Sequence, residues 1–137
     1  MGEWLAEHDI ALDLVLVSPA TRARQTWEAV SSAMAARRSA PPAEAVSVEE
    51  SVYTFDGDDL LQAVRRVRPD AGVVAVVGHN PALEEFVSDL VGLYVPMKTS
   101  CLAVVALSGE WADLGRHGSG QPEPRLVAAG RPADGPL

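Results

Sequence analysis

Apolar residues occur along the chain in short unbroken runs and, between these runs, at helical spacing. Mainly apolar runs of strand length occupy residues 12–18, 72–78 and 101–107, and less apolar ones that predict short strands lie near 45–51 and 125–130. The helical spacing predicts helices over residues 1–8, from Pro19 to about Arg38, over 58–67 and over 80–92. Strands that are apolar throughout and alternate with helices are typical of a parallel sheet covered on both faces. The sequence therefore predicts an α/β fold with three layers, α/β/α, and a mainly parallel sheet.

Three of the predicted helices begin beside residue types that commonly cap helices. Ser18 and Asn80 are each followed by a proline, which is favoured in the first turn because its missing N–H has no helical partner there. The helix over residues 58–67 has Asp56 just before it and Asp58 at its start. We expect Ser18, Asn80 and one of these two aspartates to be the N-caps.

The size and charge of the chain limit the classes of function. A chain of 137 residues has the length of one domain, which we expect over residues 1–130, followed by a flexible tail over 131–137. The net charge of −8 argues against nucleic acid or an anionic membrane surface as the partner. No apolar run is long enough to cross a bilayer, and the start of the chain has no signal-peptide pattern. We therefore expect a cytoplasmic protein.

Two of the predicted strands end in polar residues that suit an anion. One strand leads into Ser18, with Arg22 in the first turn of the following helix, and the other leads into His79. Ligands of open α/β sheets bind beyond the carboxyl ends of the strands, where helix N-termini supply N–H groups and partial positive charge. The guanidinium of Arg22 matches phosphate oxygens and the imidazole of His79 adds a donor. The combination predicts a site for a phosphoryl group.

Each of these residues also has a purely structural interpretation. Ser-Pro and Asn-Pro are common helix starts, a lone arginine near a helix start is usually a surface residue, and a lone histidine after a buried strand is more often structural than catalytic. What favours the phosphate site is that both strand ends carry suitable residues in one architecture. No group of histidine, cysteine and acidic residues has metal-ligand spacing, and no glycine-rich nucleotide loop follows a strand, so neither a metal nor a cofactor is predicted.

Two segments resemble the motifs of a known family. The segment "SPATRARQT" resembles the first arginine-containing motif of the histidine phosphatase superfamily, which has the phosphoglycerate mutase-like fold, and "VVGHNPALEEFVSDLVG" resembles its second-histidine motif. The length of the chain and the segment "MKTSCLAVVAL" are most similar to the small bacterial phosphohistidine phosphatases. The resemblance covers nearly the whole chain.

The resemblance implies an activity and a set of site residues. Arg22 is expected to clamp the phosphate and His79 to contact the transferring phosphoryl group, while Glu50 is our choice for the proton donor among the nearby carboxylates. The expected phosphate-binding residues are Arg22, His79, Ser18, Asn80 and Thr99. The implied reaction is hydrolysis through a phosphohistidine intermediate, with a phosphorylated protein or a small phosphate ester as the partner.

The nucleophile that the resemblance implies is not found where the family has it. That histidine belongs to an Arg-His-Gly or Arg-His-Ala motif at the end of a strand that precedes the opening helix, and this chain begins at Met1 inside that helix. Arg116 and His117 also precede a glycine, but no buried apolar strand comes before them. We therefore expect the first strand to be missing, through a misplaced start or a fragment, which translation of the upstream DNA in frame would test. The alternative is a non-catalytic phosphate- or phosphoprotein-binding module.

Overall fold

The chain forms two compact units, described in a computed structural model for residues 1–116 and 123–137. The first unit comprises Met1–Tyr53 and Asp70–His79, and the second comprises Thr54–Pro69 and Asn80–Leu137. Each unit therefore combines two separate stretches of the chain.

The first unit contains a parallel sheet of three strands. Its elements are α1 (Gly2–Glu7), β1 (Leu14–Val17), α2 (Thr21–Ala36), β2 (Val46–Val48) and β3 (Val74–Val77), with one-turn 3₁₀ helices at Ala43–Ala45 and Glu50–Val52. The strand order is β2-β1-β3, and both pairings are parallel. The predicted helices and strands of this region are confirmed, with ends that differ by a few residues.

The core of the first unit lies around the central strand. Val15 and Val17 of β1 and Met34 of α2 are almost completely buried. All four residues of β3, by contrast, are only half-buried. Within the described residues β3 pairs with β1 alone, so it is an edge strand and not the fully covered strand that its apolar sequence predicts.

The register of β1 and β3 brings their carboxyl ends to one edge of the sheet. Val17 is aligned with Val77, and the backbone N–H of Ser18 donates to the carbonyl of Val77 at 3.0 Å. At the opposite end of the two strands, the Asp13 carboxylate accepts hydrogen bonds from the backbone N–H groups of Gly72 and Val73, at 2.9 and 2.8 Å. The residues that directly follow β1 and β3 are therefore neighbours.

The second unit contains two helices and an antiparallel pair of strands. Its elements are α3 (Gly57–Arg65), α4 (Ala82–Val91), β4 (Leu102–Ala106) and β5 (Arg125–Gly130), with 3₁₀ turns at Trp111–Asp113 and Pro132–Asp134. The two strands pair with each other, with an irregularity between Val104 and Val105. The mixed α/β class is confirmed, although within residues 1–116 and 123–137 parallel pairing is confined to the three strands of the first unit.

Two carboxylates accept hydrogen bonds from the backbone N–H groups at the N-terminus of α3. The Asp56 side chain accepts from the N–H of Asp58 at 2.9 Å, which confirms Asp56 as the cap among the two predicted candidates. The Glu85 carboxylate of α4 accepts from the N–H of Gly57 at 3.0 Å. A Cβ atom added to Gly57 would lie 2.8 Å from the Glu85 Cβ and 2.9 Å from the Phe86 nitrogen, so this close packing of α3 on α4 needs glycine.

The two other predicted caps are wrong. Helix α2 begins at Thr21 with Ala20 in the N-cap position, and α4 begins at Ala82 with Pro81 in that position. The side chains of Ser18 and Asn80 are engaged elsewhere: the Ser18 hydroxyl bonds to residues outside the helix, and the Asn80 amide donates to the carbonyl of Met97.

In residues 1–116 and 123–137, no helix is both long and apolar enough to cross a membrane.

Candidate functional site

Ser18 and His79 come into direct contact at the carboxyl edge of the three-stranded sheet. Ser18 directly follows β1 and His79 lies two residues beyond β3, so the strand register places them side by side. The Nε2 atom of His79 lies 2.7 Å from the Oγ atom of Ser18. The histidine is half-buried, whereas Ser18 is 0% exposed. The structure therefore brings two of the predicted site residues together.

The Ser18 hydroxyl has a second partner on its other side. The backbone N–H of Ala20 donates to Oγ at 3.2 Å. A hydroxyl that is removed from water needs partners of this kind, because an unpaired buried polar group is costly. Both partners of Oγ lie in the first unit.

Tyr53 is a neighbour of His79 that the sequence reasoning missed. Its ring centroid lies 5.3 Å from that of the imidazole, with the two planes tilted by 47°. The side chain is 53% exposed, so much of the ring is open to solvent beside the histidine. It follows the 3₁₀ helix Glu50–Val52, and its N–H donates to the carbonyl of Glu50 at 3.0 Å. The only signal in the sequence was an aromatic residue in the segment that carries the candidate carboxylates.

Arg22 lies in the first turn of α2 with an exposed side chain. Since α2 directly follows β1 and Ser18, its N-terminal end is at the same sheet edge as His79. The carbonyl of Arg22 accepts from the Thr26 hydroxyl at 3.0 Å, an ordinary contact within the helix. The helix dipole favours an anion at this end of α2. The expectation that the guanidinium clamps phosphate stays a prediction.

Glu50 is exposed and begins its 3₁₀ helix. The preceding residue, Glu49, donates its N–H to the carbonyl of Val17 at 2.8 Å, which places this segment beside the carboxyl end of β1. The Glu49 carboxylate accepts from the Ser47 hydroxyl at 2.5 Å, whereas Glu50 is exposed to solvent. The role of Glu50 as proton donor stays a prediction.

Asn80 and Thr99 belong to the second unit. Both are exposed, and Thr99 uses its carbonyl to accept a hydrogen bond of 2.9 Å from Nε of Arg131. Their expected contact with phosphate stays a prediction. His117, whose Arg-His-Gly sequence matches the nucleophile motif without a preceding apolar strand, lies outside the described residues. Its neighbour Arg116 is exposed and lies 3.9 Å from the Asp113 carboxylate.

Comparison with curated sequences finds relatives without an assigned activity. No family model matches the chain. Two uncharacterized proteins of Mycobacterium tuberculosis, from strains CDC 1551 and H37Rv, are each 30% identical to it over 124 residues. The matched region covers 82% of this chain and 72% of each relative.

Comparison with solved structures finds the same fold in proteins described as SixA phosphohistidine phosphatases. A protein assigned as phosphohistidine phosphatase SixA of Nakamurella multipartitia matches with a TM-score of 0.68 and 27% identity, over 95% of this chain and 76% of that one. The protein histidine phosphatase SixA complexed with tungstate matches with a TM-score of 0.68 and 23% identity, over 97% and 77%. A protein assigned as phosphohistidine phosphatase SixA of Agrobacterium tumefaciens matches with a TM-score of 0.56 and 24% identity, over 66% of this chain and 54% of that one. At their lower identities, the last two show similarity of fold alone.

Proposed function

Because the chain belongs to the SixA-like proteins of the histidine phosphatase superfamily, we propose that it acts as a phosphohistidine phosphatase, which transfers a phosphoryl group from a protein histidine to water. The substrate would be a phosphorylated protein, with a small phosphate ester as the simpler surrogate. Inorganic phosphate is the product that both substrates share.

The observation that best supports this proposal is the position of His79 and Arg22 within the first unit. His79 contacts Ser18 at the carboxyl edge of the sheet, and Arg22 is in the first turn of the helix that begins at that edge. A guanidinium presents donors to two phosphate oxygens at once, and an imidazole adds a donor for a third. The α2 dipole adds a partial positive charge at the same end.

These groups suit phosphoryl transfer because negative charge spreads over the phosphate oxygens during the reaction. Donors fixed in place before the reaction stabilise that charge without further reorganisation. In the mechanism that the family resemblance implies, an imidazole attacks phosphorus, the substrate histidine leaves, and water then releases phosphate. Glu50 is the candidate that would supply a proton to the departing group. Arg22 and His79 would hold the phosphoryl group through both steps.

A non-catalytic module that binds phosphate or a phosphoprotein is the second candidate. The observation that favours it is the position of the Arg-His-Gly sequence, which occurs in residues 1–137 only at 116–118 and does not follow an apolar strand. A protein with the anion-binding groups and no nucleophile would bind the phosphoryl group and leave it intact.

Binding of inorganic phosphate tests the site itself. We expect isothermal titration to show binding to the 137-residue chain, and Arg22→Ala to weaken it about 10-fold or more, as for a lost hydrogen bond to a charged group. Arg24→Ala is the control, because residues two apart on a helix point to different sides. Absence of binding, or an equal loss in both variants, would contradict the proposed site.

Turnover separates the two candidate functions. The substrate is a phosphohistidine-containing protein, and the enzyme is the chain extended by whatever residues its DNA encodes in frame before Met1. Release of phosphate that His79→Ala abolishes supports the phosphatase. If the extended chain binds phosphate but releases none from the phosphohistidine-containing protein, the result supports the non-catalytic binding module.

A further inference from the structure

The two neighbours of the buried Ser18 hydroxyl restrict where its proton points. The N–H of Ala20 can only donate, so it occupies a lone pair of Oγ. Ser18 is 0% exposed, so solvent is not an alternative partner. Within the part of the chain that the structure describes, the acceptor within hydrogen-bond distance of this O–H is Nε2 of His79, at 2.7 Å.

We propose that Ser18 is a positioning residue for His79: its hydroxyl donates to Nε2 and thereby fixes the imidazole as the tautomer that carries its proton on Nδ1. A neutral imidazole has one nitrogen that donates and one that accepts, and a hydrogen bond to one of them decides which is which. This assignment rests on the geometry of the first unit alone. Its consequence for phosphate binding rests on the proposed function.

The proposal gives Ser18 an indirect role in phosphate binding, beside the direct contact expected from the sequence. Because Ser18 has no exposed surface, it would act on the ligand through His79. Ser18 holds the edge of the imidazole while the ring of Tyr53 lies against it. An imidazole held in this way loses less rotational freedom when the ligand binds, which favours binding.

The tautomer of His79 is measurable directly by NMR. Long-range ¹H–¹⁵N correlation spectra distinguish protonated from unprotonated ring nitrogens, and His79→Gln identifies the His79 signals among the three histidines of the chain. At a pH where the imidazole is neutral, we expect a protonated Nδ1 and an unprotonated Nε2. This is the reverse of the preference of histidine in water, so solvent alone would not produce it.

Three variants test whether Ser18 is the cause. Ser18→Ala removes the donor and should shift His79 toward the Nε2–H tautomer, whereas Ser18→Thr keeps a hydroxyl and should retain the wild-type tautomer. Ser39→Ala is the control, since Ser39 is a half-buried serine of the first unit whose hydroxyl donates to the Met34 carbonyl at 3.2 Å. It should leave the His79 spectrum unchanged.

The inference is overturned if wild-type His79 carries its proton on Nε2, or if Ser18→Ala leaves the tautomer unchanged. If Ser18→Ala does not fold, the wild-type spectrum still shows which ring nitrogen of His79 carries the proton. Phosphate titration is the second measurement: Ser18→Ala should weaken binding about 3- to 10-fold, the equivalent of one ordinary hydrogen bond. If the wild-type chain binds no phosphate, the proposed function fails while the tautomer measurement still decides the role of Ser18.

Discussion

The aromatic ring of Tyr53 lies against the imidazole of His79, with their centroids 5.3 Å apart, although 25 residues separate them along the chain. Half of the tyrosine side chain remains exposed, so the ring presents an apolar surface beside the group proposed to contact phosphate. A substrate whose phosphoryl group is attached to an aromatic ring, such as phosphohistidine, would place that ring next to Tyr53. The position of Tyr53 therefore suits an aromatic leaving group better than an aliphatic one.

The first prediction compares two phosphate esters that differ in this group. We expect phenyl phosphate to bind more tightly than methyl phosphate, and Tyr53→Ala to reduce that preference about 3- to 10-fold, the equivalent of one aromatic contact. Tyr53→Phe should keep the preference because it keeps the ring. Phe55→Ala, which removes another exposed aromatic side chain nearby in sequence, is the control. Titration calorimetry with both esters measures the effect, and an unchanged preference in Tyr53→Ala would contradict it.

The second prediction concerns the packing of α3 on α4. Replacing a helical glycine by alanine normally stabilises a protein, but at Gly57 the added Cβ would lie within 3 Å of two atoms of α4. We expect Gly57→Ala to lower the free energy of unfolding by about 1–3 kcal/mol, as overpacking does elsewhere. Asp58→Ala, at the exposed neighbouring position, should change it by about 0.5 kcal/mol or less. Urea denaturation measures both, and a stable Gly57→Ala protein would show that the helices separate easily.

The third prediction concerns the carboxylate that joins the start of β1 to the start of β3. The Asp13 side chain accepts two backbone hydrogen bonds, from Gly72 and Val73. We expect Asp13→Ala to lower the free energy of unfolding by about 1–2 kcal/mol, because both N–H groups lose their charged acceptor. Asp13→Asn keeps an acceptor oxygen and should cost less. Thermal unfolding of the two variants gives the comparison, and losses near zero in both would mean that the contact contributes little.

The fourth prediction is a pH dependence at Tyr94. Its hydrogen bond to the Glu84 carboxylate, together with the negative charge of that group, raises the pKa of the phenol above its usual value of 10.0. Because the pKa is raised in the folded protein, any stabilisation from this contact is fully present below the usual pKa and is lost as the pH rises through the raised value. We expect Glu84→Gln to lower the pKa of Tyr94 toward its usual value. Ultraviolet titration in a Tyr53→Phe background, where Tyr94 is the remaining tyrosine, measures the shift, and an unchanged pKa would contradict it.

Elements with local causes were predictable from the sequence. The apolar run before Ser18 predicted β1, and Asp56 was one of two proposed caps for α3, because a strand run and an Asx cap depend on residues a few positions apart. The edge position of β3 was not predictable, because its apolar sequence is the same whether one neighbouring strand or two lie beside it.

The contacts between distant segments were the part that sequence reasoning missed. Ser18 was expected to cap α2, but its hydroxyl bonds to His79, 61 residues away, and the helix begins later. Local propensity favours the cap, and only the strand register reveals the competing partner. The contact of Tyr53 with His79 and that of Glu85 with Gly57 likewise depend on tertiary packing, for which no short motif exists.

The alignment of Val17 with Val77 has a consequence for how this protein tolerates changes in length. Ser18 and His79 meet because each follows a strand, and backbone hydrogen bonds fix the alignment of the two strands. The distance between the two side chains therefore does not depend on the length of a loop. Residues added to or removed from the segment joining β2 to β3 leave the pair intact as long as the strands keep their alignment. A one-residue deletion inside β3, in contrast, turns every following side chain of that strand to the opposite face and separates the two groups. Variation in length outside the strands is therefore compatible with the contact between Ser18 and His79, whereas variation inside the strands is not.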